Sequence, residues 1–422
     1  MTRHTYVTVG AGQAAAVAAR HLRRNGFDGR IVLVGDEPYA PYQRPPLSKE
    51  FLAAPDTGDS QDSLWILPPA WITDNDVEIV TGTTVTRVDP VSRRVELDGA
   101  PAIAADAVLF ATGGSPRTLA VPGPRPELVH YLRTLDDARR LAAWCRPGCR
   151  LLLIGAGFIG LEIAATATAA GASVTVLEAA DVPLGRVLGA PMGDVVAGLH
   201  RANGVDIRTG AELAALNTTT DGVVARLRGT AAPVEADAVV IGVGITPNTA
   251  VAASSGLHID DGIVVDAAGR TAIPNVYAAG DVARRYSERA GCHVRLEHFD
   301  NANRQGAAVA AAMLGGSAAS DEANWFWSDQ YGRNIQFVGA AHGVPVIRGD
   351  VGALDFTGFY LDGAVLRGAF AVDRGEDVMA ARELLGREVD TAALRDEDTD
   401  LWDLVYGDLD AQDAACQEGA PA

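Results

Sequence analysis

Sulfur, lysine and positive charge are all scarce in this 422-residue chain. Its four cysteines, Cys145, Cys149, Cys292 and Cys416, form neither a CxxC pair nor a metal-ligand cluster. No zinc site, iron–sulfur ligation or redox disulfide is therefore expected, and a reducing cytosol suits the chain. Basic residues number 35 against 54 acidic ones, a formal charge of −19, which repels a phosphate backbone and excludes a general nucleic-acid role. Lysine is almost missing: Lys49 stands alone among arginines, and an unreplaced lysine points to a task for a compact ammonium that a planar guanidinium does not fit. The N-terminus runs through Arg3 directly into a strand-like run at 6–9 without an apolar leader, so export is not expected. The longest apolar stretch, 151–177, is interrupted by Glu162 and four glycines. It divides into strand, turn, helix and strand better than it forms a membrane span.

What remains is the composition of a folded, soluble protein, 48% hydrophobic and 21% charged, long enough for two to four compact units. A strand at 6–9, a Gly-rich turn, a helix at about 13–24 and a strand at 31–34 open the first unit. Beyond the proline-rich loop at 41–46, the segments 77–80 and 95–97 read as antiparallel strands of an inserted layer, and the run 107–111 stops at Thr112-Gly113-Gly114. After a proline-rich linker at 116–126 the pattern repeats: strand 151–154, Gly turn, helix, strand 174–177, with 239–243 closing the second unit. Segments 263–265 and 276–278 return to the first. From about residue 323 aromatic, alternating segments (325–327, 335–338, 356–361, 365–372) indicate a small mixed third unit. Asp396, Glu397, Asp398, Asp400, Asp403, Asp408, Asp410 and Asp413 load the end with charge, a pattern expected to be solvated and mobile.

Val9-Gly10-Ala11-Gly12-Gln13-Ala14-Ala15 is a GxGxxA fingerprint between strand and helix. Gly10 permits the tight turn, Gly12 admits a pyrophosphate against backbone, and the helix N-terminus supplies amide hydrogens and positive dipole. Asp36, just past the second strand, is placed to accept ribose hydroxyls. The second copy, Ile154-Gly155-Ala156-Gly157-Phe158-Ile159-Gly160-Leu161-Glu162, is followed by Glu178 at a strand end. A carboxylate there favours a free 2′-hydroxyl over a 2′-phosphate, hence NADH over NADPH.

Two dinucleotide sites without a separate substrate pocket suggest cofactors that react with each other. The segments Pro41-Tyr42-Gln43-Arg44-Pro45-Pro46-Leu47-Ser48-Lys49, Ala111-Thr112-Gly113, Tyr277-Ala278-Ala279-Gly280-Asp281 and Trp325-Phe326-Trp327-Ser328-Asp329-Gln330-Tyr331 resemble the putidaredoxin reductase class of NADH-dependent ferredoxin reductases over about 6–385. That resemblance implies an α/β fold: two Rossmann-like dinucleotide-binding domains, glutathione-reductase-like, plus a small α+β C-terminal domain. It divides the chain into an FAD part at 1–115 and 245–322, an NADH domain at 116–244, a C-terminal domain at 323–405 and an acidic tail at 406–422. It implies FAD contacts from Gly10, Gly12, Ala14, Asp36, Arg44, Lys49, Val85, Ala111, Thr112, Gly113, Arg133, Gly280, Asp281 and Phe299, with the Asp281 carboxylate held by amides of a following helix. The NADH contacts it implies are Gly155, Gly157, Ile159, Gly160, Glu178 and Gly244. Lys49 beside flavin N5, its partner Glu162, and Trp327 packed near the flavin are the implied catalytic residues, with no metal. Of the aromatic trio, Trp325 or Phe326 is expected in the core.

The implied reaction takes hydride from NADH to FAD, then single electrons to a [2Fe–2S] ferredoxin that feeds a cytochrome P450 or a ring-hydroxylating dioxygenase. Arg304, Arg333, Arg348, Arg367 and Arg374 are candidates for a docking patch toward an acidic ferredoxin. The implied protein is cytoplasmic, a monomer or homodimer, and binds no membrane. Asn324, Asp373-Arg374-Gly375 and His298-Phe299 depart from the family pattern. A rubredoxin reductase, or a binding flavoprotein like the apoptosis-inducing factor relatives, is the alternative. Flavin disulfide, peroxide or oxygen reductases would need a cysteine close to the flavin, either a CxxC pair or a single cysteine in the loop after the second strand; the chain has no CxxC pair and 42–46 holds no cysteine.

Overall fold

A computed structural model describes residues 4–55, 57, 64–229, 232–317, 321 and 323–407. The first unit is a five-stranded parallel sheet in the order Val276–Ala278, Ala107–Phe110, Thr5–Val9, Arg30–Val34, Val77–Val80. The second repeats it as Asp206–Arg208, Ser173–Leu177, Arg150–Ile154, Ala238–Ile241, Val129–His130, again parallel. All four residues of Ala107–Phe110 and of Ala238–Ile241 are buried, as strands covered on both faces must be. Each unit carries an inserted three-stranded layer, Val85–Asp89, Arg94–Leu97 and Ala100–Ala104 before Ala107–Phe110 in the first and Leu213–Thr218, Val223–Leu227 and Val234–Ala236 before Ala238–Ile241 in the second.

Val77–Val80 does not belong to that inserted layer. It pairs in parallel with Arg30–Val34 as the edge of the main sheet, because the helix Pro69–Asp74 lies in the crossover that leads into it. A short apolar run does not reveal the direction of its pairing; the length of the connection does.

The helix Gln13–Arg24 buries Ala14, Ala15, Ala16, Ala18 and Ala19. These small side chains let a second helix, Phe299–Met313, approach so closely that a Cβ on Gly306 would lie 2.6 Å from the Ala14 carbonyl oxygen. Two chain crossings join the units, Gly114–Pro116 pairing antiparallel with Ile245–Pro247. Asn248 clamps the crossing: its Nδ2 donates to the Thr112 carbonyl at 2.9 Å and its Oδ1 accepts the Ser115 hydroxyl at 2.8 Å.

The third unit is a five-stranded antiparallel sheet in the order Trp325–Gln330, Arg333–Gly339, Val365–Val372, Asp355–Asp362, Val346–Asp350, covered by the helix Gly375–Leu384. The acidic end departs from expectation. The side chains of Asp396, Glu397, Asp398 and Asp400 are exposed, but the buried Arg348 donates to the carbonyls of Asp396 and Thr399 at 2.5 and 2.8 Å. Leu401 and Val405 pack into the core of the third unit. The backbone is thus pinned although its charges are solvated; Asp408, Asp410, Asp413 and the rest of 408–422 lie outside the described residues. Among the described residues no helix is long and apolar enough to cross a membrane.

Candidate functional site

Both fingerprints open onto one cavity of about 740 Å³, toward the upper part of the roughly 300–1,000 Å³ usual for small-molecule sites. In each, the first glycine is required by conformation and by space. Gly10 has φ +102° and a Cβ there would lie 2.3 Å from the Ala111 carbonyl oxygen; Gly155 has φ +100° and would meet the Gly242 carbonyl oxygen at 2.4 Å. The second glycine is different, since a Cβ on Gly12 or Gly157 would meet nothing within 4 Å. Both glycines line the cavity and cap helices, Gln13–Arg24 and Phe158–Ala169, that have no side-chain cap bond. A third uncapped helix, Phe299–Met313, also begins at the cavity. Open space beside free amides at helix N-termini is the cradle a pyrophosphate needs, so these residues fit the FAD and NADH implied by the resemblance.

The walls are held by ion pairs. Arg44 reaches Glu37 at 2.7 Å and donates to the Arg133 carbonyl; Tyr42 donates to Glu37 and accepts the Leu135 amide at 3.0 Å. Burial, with Glu37 beside it, pushes the Tyr42 phenol well above its ordinary range despite Arg44. Arg133 pairs with Asp281 at 2.9 Å, and its backbone amide bonds Asp137, the acid of the capping box that Thr134 and Asp137 build on the helix Leu135–Ala142. No helix follows Asp281. The chain continues into the strand Ala283–Ser287, and the carboxylate is neutralised by Arg133 instead of by helix amides.

Lys49 lies where the units meet. Its Nζ is 2.8 Å from Glu162 Oε2 and 3.2 Å from the Pro45 carbonyl. Glu162 is 3% exposed, so its charge depends on its donors; the Ser48 hydroxyl joins Lys49 at Oε2, and Ser328 Oγ donates to Oε1 at 2.6 Å. Thr166, on the helix of Glu162, donates to the Ser48 carbonyl at 2.8 Å and pins the lysine loop onto the second unit.

Phe326 is the buried member of its trio, stacked on His298 at 4.9 Å and edge-on to Phe158 at 4.4 Å. Trp327 is half-buried, faces the cavity, and packs edge-on to Phe299 at 5.5 Å; Trp325 stacks on it at 5.4 Å. Loss of water holds the His298 imidazole below its ordinary value, against the pull of Asp281 and Asp300.

The cavity therefore gathers Gly10, Gly12, Ala14, Asp36, Arg44, Lys49, Ala111, Thr112, Gly113, Arg133, Gly155, Gly157, Ile159, Gly160, Glu162, Gly244, Gly280, Asp281, Phe299 and Trp327. Two expected residues lie outside its lining. Val85 is buried in the core of the inserted layer with Val88 and Val95. Glu178 turns back on its own fingerprint, accepting the Ala156 and Ala180 amides at 2.7 and 2.8 Å. Each of the five arginines considered for docking has an acidic neighbour: Arg304 with Asp300, Arg333 with Asp373, Arg348 with Asp377, Arg367 with Asp362, and Arg374 with Asp355 and Glu397. Arg348, 7% exposed, is a structural anchor and not a docking residue. Sequence reasoning missed Ser48, Glu37 and Tyr42, all in or beside the singled-out loop, and the buried polar pair Ser328 and Gln330. The signal for the pair was polar residues at alternate positions after Phe326, on the inward face of a strand.

Residues 4–306 match the family described as pyridine nucleotide-disulphide oxidoreductase, and 325–405 match the reductase C-terminal family. Rhodocoxin reductase of Rhodococcus erythropolis is 40% identical over 94% of this chain and 92% of its own. The ferredoxin–NAD(+) reductase component of the anthranilate 1,2-dioxygenase system of Burkholderia cepacia is 38% identical over 91% and 95%. Among solved structures, the covalent putidaredoxin reductase–putidaredoxin complex superposes with a TM-score of 0.89, at 34% identity over 96% of this chain and 99% of that one.

Proposed function

The chain belongs to the pyridine nucleotide-disulphide oxidoreductase family and carries its reductase C-terminal domain; from that premise we propose an NADH-dependent ferredoxin reductase, supplying electrons to a [2Fe–2S] ferredoxin of a cytochrome P450 or ring-hydroxylating dioxygenase. The observation that carries this reading is the shared cavity: two dinucleotide cradles open into one space, with the only lysine at their boundary. Among the described residues no cysteine lines it, so the disulfide chemistry in the family's name has no sulfur there to use. FAD, when bound, accepts hydride from NADH and releases electrons one at a time.

The protein's share is binding and placement. Gly10, Gly12 and the helix Gln13–Arg24 would hold the FAD pyrophosphate, with Arg44, Arg133 and Asp281 along its wall; Gly155, Gly157 and the helix Phe158–Ala169 would hold NADH. We assign 1–115 and 245–322 to FAD, 116–244 to NADH and 323–405 to the cover over the flavin, on the repeat of the two parallel sheets and the place of Trp327. Lys49 would bring a fixed positive charge to the reacting edge, and Glu162 would orient that ammonium without becoming a base. Fixed geometry of donor and acceptor supplies most of the rate. Phe299 and Trp327 would wall the site against water. Dependence on NADH argues for the cytoplasm.

Cytochrome c reduction by NADH tests this. The expected result is turnover only when a [2Fe–2S] ferredoxin is added; equal turnover without ferredoxin contradicts the reading.

A further inference from the structure

A line of buried polar side chains leads from Glu162 away from the cavity, and the ligand contacts leave it unexplained. Ser328 Oγ lies 2.6 Å from Glu162 Oε1; Gln330 Nε2 lies 2.9 Å from Ser328 Oγ; His200 Nε2 lies 2.7 Å from Gln330 Oε1; and the Tyr331 hydroxyl lies 3.0 Å from His200 Nδ1. Ser328 and His200 are fully buried and Gln330 is 1% exposed. We propose that Tyr331, His200, Gln330 and Ser328 form a one-way hydrogen-bond relay that positions the Glu162 carboxylate beside Lys49, so that the site between the nucleotides depends on the third unit.

Chemistry fixes the direction of every link. A carboxylate bound to an ammonium only accepts, so Ser328 spends its single proton on Glu162 and must accept from Gln330. The amide NH₂ then faces Ser328, and the amide oxygen is left to accept from His200. Burial lowers the His200 imidazole to about 4, leaving a neutral ring whose one proton lies on Nε2 and whose Nδ1 accepts from the tyrosine. Aligned donors polarise one another in the same sense. The result is a string of four bonds all donating toward Glu162.

Two further observations separate this arrangement from ordinary core packing. Replacing both members of a buried hydrogen-bonded pair by apolar groups of the same shape is close to neutral, so stability alone gives no reason for a serine, a glutamine and a histidine in one seam. Tyr331 is also held at φ +54°, beside Gly332 at φ +71°, in a two-residue hairpin link of the kind that favours Asn-Gly. A bulky residue is strained at that position. Here it keeps its ring edge-on to His200 at 5.1 Å and its hydroxyl on Nδ1. The relay joins all three units: Lys49 from the first, Glu162 and His200 from helices of the second, and Ser328, Gln330 and Tyr331 from the first hairpin of the third.

The test has two arms on the flavin-loaded protein. In the first, ¹⁵N-histidine NMR, with the His200 signals identified by their loss in His200→Gln, reads the tautomer. A proton on Nε2 alone across about pH 6 to 8 is expected, and Tyr331→Phe should leave it there because Gln330 Oε1 still accepts from Nε2; a wild-type proton on Nδ1 overturns the relay. The second arm measures single-turnover flavin reduction by NADH and rests on the function proposed above. Ser328→Ala should slow it about tenfold and Tyr331→Phe about twofold, with NADH affinity unchanged in both and Ser328→Thr restoring most of the rate. Rates equal to wild type in Ser328→Ala and Tyr331→Phe overturn the positioning role; should Ser328→Ala fail to fold, Tyr331→Phe decides alone. A wild-type flavin that NADH does not reduce contradicts the proposed function and leaves the tautomer arm standing.

Discussion

The two dinucleotide units share a sheet order and a fingerprint, yet they close around their cradles differently. The first is wrapped: Glu37, Tyr42 and Arg44 interlock over it, and Arg133 pairs with Asp281 across it. The second is open, with Ile159 47% and Val187 37% exposed at its part of the cavity. The acids differ too: Asp36 faces the cavity, whereas Glu178 is drawn onto its own turn. At the third fingerprint position the first unit has Ala15 and the second Gly160, whose Cβ would lie 2.4 Å from the Gly155 carbonyl oxygen. The same motif serves two purposes. A network of paired side chains suits a ligand that stays, and exposed apolar edges suit one that comes and goes.

The largest effects should come from blocking one cradle at a time. Gly10→Val, which drives side-chain atoms against the Ala111 carbonyl, should yield protein without flavin. Gly155→Val should keep its colour and lose NADH binding, and absorbance spectra with NADH titration check both; loss of flavin from the second variant alone would undo the division of labour.

Next is the boundary between the units. Lys49→Met leaves Glu162 buried without its cation and should slow flavin reduction about a hundredfold, equivalent to ~2.7 kcal/mol of barrier. Lys49→Arg should not restore the rate in stopped-flow traces, because the fork needs more room.

A smaller change is expected at the acids. Glu178→Ala should cut the NADH over NADPH preference by about tenfold, ~1.4 kcal/mol, while Asp36→Asn should loosen flavin and leave that preference alone; kcat/KM ratios and flavin release rates measure the two. An unchanged preference in Glu178→Ala would mean that its bonds to Ala156 and Ala180 are its whole role.

The last is an acid weakness of the second unit that is silent at neutral pH. Burial lowers His130 and His200 from 6.5 to about 4. Rings that take up protons more readily when unfolded favour unfolding as pH falls, so their contribution is complete above about 6.5 and is lost on the way down to 4, at most about 3 kcal/mol for each ring. Urea midpoints at neutral and mildly acid pH should therefore fall less for His200→Gln than for the wild type; parallel curves would contradict this.

Much of this was legible in the sequence where the signal was local. The helix at 13–24 and the strand–turn–helix at 151–177 carry their own periodicity and glycines, and they fold as read. Whatever depends on pairing across distance was not. The direction of Val77–Val80 is set by the crossover before it, and the partner of Asp281 is Arg133, 148 residues away. The acidic end was read from its charge, but Arg348 binds its carbonyls, which composition does not display. The site followed the rule only in part: glycines and Lys49 could be named from motifs, while Val85, named by resemblance, and Glu178, named from its strand end after the second fingerprint, lie outside the cavity lining. The polar line behind Glu162 joins residues up to 166 positions apart and became visible only once folded.

The most direct test of the shared cavity is an anaerobic titration of the flavin-loaded protein with NADH, followed by visible absorbance. The account predicts full bleaching by about one equivalent of NADH per flavin, in keeping with two-electron hydride transfer. A flavin that stays yellow under excess NADH would contradict it.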